Sequence, residues 1–97
     1  MMNLTKEQSE SVEEMAYLLI PTDLIAFNLG IDYIAFMSEL RDLNSPVCKS
    51  YYKGILRQKM ELHSSIVQAS KNGSHPAQEQ IIKMLEGITG QLRYGLR

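Results

Sequence analysis

Lys49, Lys53 and Arg57 recur every four residues, so on a helix their charges share one face, with Lys59 nearby. Cations in that pattern neutralise phosphates and give nucleic-acid contact without base reading. The competing reading is a solvated face, or one paired with acidic residues of a neighbouring subunit. A second set, Tyr33, Ser38 and Arg41, offers polar side chains to base edges and phosphates, but Asp32, Glu39 and Asp42 stand beside it and carboxylates repel phosphate. Catalytic patterns are weaker. Cys48 is the sole cysteine, so no intrachain disulfide can form, and a lone helical Cys is read as a packing residue. His63 and His75 fall on different elements, with no Cys or carboxylate cluster to complete a metal site. Glu13 and Glu14 are adjacent and face different ways, so they form no acid–base pair. Gly73-Ser74-His75-Pro76 reads as a helix boundary rather than a phosphate loop, and no serine sits on a nucleophile elbow. The chain is therefore read as a binding protein and not an enzyme, with no cofactor and no metal.

These side chains need helices to position them. The 97 residues suffice for one domain, and Leu, Ile, Met, Glu, Gln, Lys and Ser, mostly good helix formers, dominate. Thr5 to Gln8 has the form of a capping box, followed by Val12, Met15, Ala16, Leu19 and Ile20 at helical spacing, with Pro21 expected to end that helix. Thr22 or Asp23 is expected to cap a short helix, Leu24 to Leu29, that ends at Gly30. Asp32 caps a third, Tyr33 to about Arg41, so residues 22–41 have the layout of a helix-turn-helix. In that layout Ala26 permits close crossing, and Ile25, Leu29, Ile31 and Phe36 fill the space between helices. Ser45 and Pro46 start a long helix that meets no breaker but Gly54 before Asn72, roughly 39 Å at 1.5 Å per residue. Ser74 and Pro76 start another, expected to fold back antiparallel. The class predicted is all-α, with four or five helices. A helix-turn-helix region (5–42) is followed by a long antiparallel helical hairpin (45–87) and a flexible tail (88–97), all in one domain.

The broad apolar stripe on the hairpin, with Tyr52, Ile55, Leu62, Ile66, Ile81 and Leu85, predicts self-association. Charge is divided along the chain: residues 1–42 hold two basic and eight acidic side chains, and 43–97 hold eight and three. Such a split supplies an acidic and a basic face to partners or to a neighbouring subunit. No signal peptide and no membrane-spanning stretch are read, and a single cysteine fits a reducing, cytoplasmic setting.

The order of elements resembles small phage and prophage proteins of the terminase small-subunit type. The features that carry the likeness are Ile25-Ala26-Phe27-Asn28-Leu29-Gly30-Ile31, the link Ser45-Pro46-Val47, Tyr51-Tyr52-Lys53-Gly54 on the long helix, and the boundary Ala69-Ser70-Lys71-Asn72-Gly73-Ser74-His75-Pro76-Ala77. They span residues of about 21–86. The resemblance implies a DNA-packaging adaptor in a bacterial or phage-infected cell: Tyr33, Ser38 and Arg41 approach DNA, the hairpin assembles subunits, and Leu92 to Arg97 touch a large terminase subunit. Two other readings stay open. One is a structural oligomerisation protein of a mobile element that binds no nucleic acid. The other is a small helix-turn-helix transcriptional regulator, whose dimer would read paired half-sites.

Overall fold

A computed structural model describes residues 2–92, and all of their regular secondary structure is helical. The five helices are α1 (Lys6–Tyr17), α2 (Thr22–Leu29), α3 (Tyr33–Arg41), α4 (Pro46–Lys71) and α5 (His75–Gly90), in agreement with the all-α expectation. The chain divides into two compact units, Met1–Lys59 and Met60–Arg97, with the boundary inside α4.

Helix starts follow the sequence signals closely. The Thr5 hydroxyl accepts from the Gln8 N–H at 3.1 Å while the Gln8 side chain accepts from the Thr5 N–H at 3.0 Å, a complete capping box. Asp32 accepts from the Ala35 N–H at 3.1 Å, Ser45 from the Val47 N–H at 3.1 Å, and Ser74 from the Ala77 N–H at 3.4 Å. The start of α2 differs from expectation. Pro21 holds the N-cap position with no side-chain cap, and its carbonyl accepts from the Leu24 and Ile25 N–H groups, so the helix begins at Thr22. The fixed φ of proline supplies the geometry that a Thr or Asp cap would otherwise select.

Helix ends correct the reading at two places. Pro21 does not end α1, because the helix stops at Tyr17. There the Leu19 N–H donates to the Ala16 carbonyl and the Ile20 N–H to the Met15 carbonyl, with Leu19 left-handed at φ 61°. That pairing is a Schellman motif, and it recurs at Gly30 and at Gly73. Leu19 consequently leaves the apolar face and is 63% exposed. At the other end of the chain, α5 continues through Gly87 to Gly90, so residues 88–90 are helical where a tail was expected. A helical glycine costs only about 1 kcal/mol relative to alanine and does not by itself stop a helix. Residues 93–97 of that expected tail lie outside the described residues.

The core of the first unit joins Val12, Ile25, Ala26, Phe36, Leu40 and Val47, with Leu29, Ile31 and Tyr51 packed against it. The face that α4 turns to this core is Val47, Tyr51, Gly54 and Gln58, spaced four, three and four. Of the apolar stripe read from spacing, Cys48, Val47 and Tyr51 lie on or beside this face, with Cys48 also buried, whereas Tyr52 is exposed and Ile55 half-buried. Gly54 is buried, and a Cβ there would overlap the Glu13 carbonyl and lie 2.8 Å from the Ala16 Cβ and 2.9 Å from the Tyr17 nitrogen. One turn on, the Gln58 side-chain amide donates to the Tyr17 carbonyl at 2.7 Å, satisfying a helix-end acceptor that α1 leaves unpaired.

The second unit buries little by itself. Among its described residues only Ala77 is fully enclosed, while Met60, Leu62, Ile82, Leu85 and Ile88 are each more than half exposed. The turn between α4 and α5 is held by the Gly73 motif and by the Gln78 side chain, which donates to the Ser70 carbonyl at 3.0 Å.

Because the contact at Gly54 is against backbone, a methyl group there has no flexible neighbour to displace. Gly54→Ala is expected to destabilise the first unit by about 1–3 kcal/mol despite the better helix propensity of alanine. A urea titration checks this: the midpoint falls at unchanged slope, whereas a rise in the midpoint would refute the close crossing.

Candidate nucleic-acid interface

The α2–Gly30–α3 segment has the layout of a helix-turn-helix. Gly30 turns the chain at φ 71°, Ala26 is buried where the helices approach, and α3 buries Phe36 and Leu40. The opposite side of α3 carries Ile34, Ser38 and Arg41 at positions i, i+4 and i+7, all exposed, with Ile34 at 77%. Tyr33 lies about a quarter turn away, its hydroxyl 3.4 Å from the Thr22 hydroxyl at the start of α2. Thus Ser38 and Arg41 come together around an apolar centre, and Tyr33 flanks them.

The three carboxylates that weighed against phosphate contact all have protein partners. Asp32 caps its own helix, and Asp42 accepts from the Asn44 N–H at 3.0 Å. Glu39 leaves the exposed face: its Oε1 accepts from the Met2 N–H at 2.8 Å and from the Ser45 hydroxyl at 2.9 Å. Ser45 is fully buried and at the same time caps α4, so Glu39 ties the N-terminal segment, α3 and the start of α4 to one oxygen. The Met2 N–H first, and the Ser45 hydroxyl second, hold the Glu39 carboxyl below the ordinary carboxylate range. The spacing of apolar residues alone could not reveal this role, since Glu39 simply occupies a position where an apolar residue fits the pattern.

The basic stripe is divided in use. Arg57 reaches back to α1, 3.0 Å from Glu13 and 3.6 Å from Glu14, with its guanidinium carbon 4.3 Å from the centre of the Tyr17 ring. Arg57 is therefore committed to the first unit. Lys49 and Lys53 share its face of α4 but are exposed and make no ion pair among the described residues.

Of the residues assigned to self-assembly, Tyr52 is exposed and Ile55 half-buried on the first unit. In the second unit, Leu62 and Leu85 are exposed and Ile66 and Ile81 half-buried. Sequence reasoning passed over Met60 and did not assign Ile82 to self-assembly, and both are exposed in the same unit. Cys48 is buried, in keeping with a packing role. Among the described residues no three potential ligands gather to hold a metal ion, and no helix is long and apolar enough to cross a membrane. Comparison with protein-family models, curated proteins and solved structures finds no match to this chain.

The depressed Glu39 titration carries a stability consequence with a definite sign. A carboxylate favoured in the folded state contributes fully above its unfolded value of about 4.3, and the contribution is lost as pH falls through the lower folded value. Glu39→Gln is therefore expected to be less stable than the parent near neutral pH, with the gap closing on acidification. Urea midpoints across an acid series check this, and a gap that is constant with pH would exclude a role for the charge.

Proposed function

We propose that this chain is a DNA-binding, self-assembling adaptor of the phage terminase small-subunit type, working without catalysis in the cytoplasm of a bacterial or phage-infected cell. The observation that carries the reading is the turning of Glu39 to Ser45 and Met2, with Asp32 and Asp42 engaged by backbone N–H groups beside it. What remains on the outer face suits a major groove. Ile34 can pack on a thymine methyl, Ser38 can bond to base or phosphate oxygens, and Arg41 supplies the charge that phosphates attract. Self-assembly follows from the second unit, whose exposed Leu62, Leu85 and Ile88 gain burial only against another surface. A large terminase subunit is the further partner that the family resemblance implies.

A structural oligomerisation protein that binds no nucleic acid is the second reading. The pairing of Arg57 with Glu13 and Glu14 favours it, because this cation of the stripe already serves the fold.

Fluorescence anisotropy with a labelled duplex across a salt series separates the two. Binding that weakens steeply with salt is expected, and Arg41→Ala should weaken it and lower the salt slope by about 1. Light scattering on the same sample should give a mass above one chain. A mass above one chain without duplex binding at low salt moves the conclusion to the second reading, and a strictly monomeric mass at high concentration removes self-assembly from both.

A further inference from the structure

A cleft of about 290 Å³ lies between α1 and α4 within the first unit and is lined by residues of those two helices. Lys6, Ser9, Glu10 and Glu13 line it from α1, four residues on one helical face. Lys49, Ser50 and Lys53 line it from α4. Opposed acidic and basic helices would ordinarily pair their charges across such a cleft, and here the pairing goes to Arg57 beside the cleft and not to the lining lysines. Arg57 draws Glu13 toward itself at 3.0 Å and has Glu14 at 3.6 Å. Among the described residues the three lysines have no ion pair and the two serine hydroxyls no side-chain partner. Of the two lining carboxylates, Glu13 is bound to Arg57 and Glu10 pairs with no cation among the described residues.

We propose that this cleft is an anion site that binds phosphate groups. Three ammonium groups face one uncommitted carboxylate, so the local field favours an anion. The Ser9 and Ser50 hydroxyls add neutral donors of the kind that phosphate oxygens accept from. Lysines act as point charges and fix no planar geometry, so the site recognises phosphate charge without selecting a base. Its ligand is either the phosphodiester backbone of a nucleic acid or a free phosphate compound, and the chemistry is the same for both. The site is independent of α3 and stands whether or not α3 reads DNA.

The test is amide chemical-shift mapping on the isotope-labelled full chain, titrated separately with inorganic pyrophosphate and with a short DNA duplex at low salt. Shifts centred on Lys6, Ser9, Lys49, Ser50 and Lys53 are expected with pyrophosphate. The Lys49→Gln/Lys53→Gln variant should weaken that binding roughly ten-fold, and Glu10→Gln should tighten it roughly three-fold, as exposed charges do. The same shifts with the duplex identify the nucleic-acid backbone as ligand. Shifts with pyrophosphate alone identify a free phosphate compound. Pyrophosphate shifts elsewhere, or affinity unchanged in the double variant, overturn the site. Duplex shifts confined to α3 would leave the DNA-binding reading intact while removing the backbone as this cleft's ligand.

Discussion

The arrangement of the first unit depends on one close approach, the contact of Gly54 with the backbone of α1. Two helices normally meet through side chains with their axes 8–10 Å apart. Here the absence of a Cβ lets α4 reach the Glu13 carbonyl and the Tyr17 nitrogen directly. That contact brings Gln58 to the last carbonyl of α1 and Arg57 to Glu13, Glu14 and the Tyr17 ring. The polar contacts around it are weaker determinants. Exposed ion pairs contribute about 0.2–1 kcal/mol and a cation–π contact a similar amount, whereas overlap with backbone cannot relax cheaply. The crossing also decides which charges are spent. By engaging Glu13 and Glu14 through Arg57, it leaves Lys49 and Lys53 without an ion pair among the described residues.

A second constraint converges on Ser45. Its hydroxyl accepts from the Val47 N–H and donates to Glu39, so a single buried group closes the N-terminus of α4 and fixes the inner side of α3. A buried hydroxyl without partners would cost a few kcal/mol, and this one has both roles filled. The outer face of α3 is thereby set by what happens on its inner side: the Glu39 carboxylate, half-buried, is turned to Ser45 and Met2.

Much of this was legible in the sequence, and what was not has identifiable causes. Thr5, Asp32, Ser45 and Ser74 announce their helix starts because capping is local chemistry, decided within three residues. Gly30 and Gly73 mark helix ends for the same reason. Leu19 gave no signal, since leucine is ordinarily excluded from the left-handed conformation it adopts. The buried face of α4 was legible only in part: Val47, Cys48 and Tyr51 fall in the apolar pattern, whereas Gly54 and Gln58 carry no apolar side chain and give it no signal. The fate of Arg57 was out of reach because Glu13 lies more than thirty positions away, and that of Glu39 because one of its two partners, Met2, also lies that far off. At the candidate interface, Ser38 and Arg41 share a face as helical spacing requires. The pairing of Arg57 with α1 and the committed carboxylates are tertiary facts.

The left-handed Leu19 has a consequence for the lifetime of the chain. A non-glycine residue in that conformation costs roughly 1–2 kcal/mol, and a side chain 63% exposed recovers little of it by burial. Domains of this size are stable by only about 5–15 kcal/mol, so this one backbone angle raises the unfolded fraction by roughly ten-fold. Proteases act on that fraction, and cellular abundance follows it. The end of the first helix therefore helps set how fast the protein turns over, through a residue that lies outside the core and outside the candidate interface.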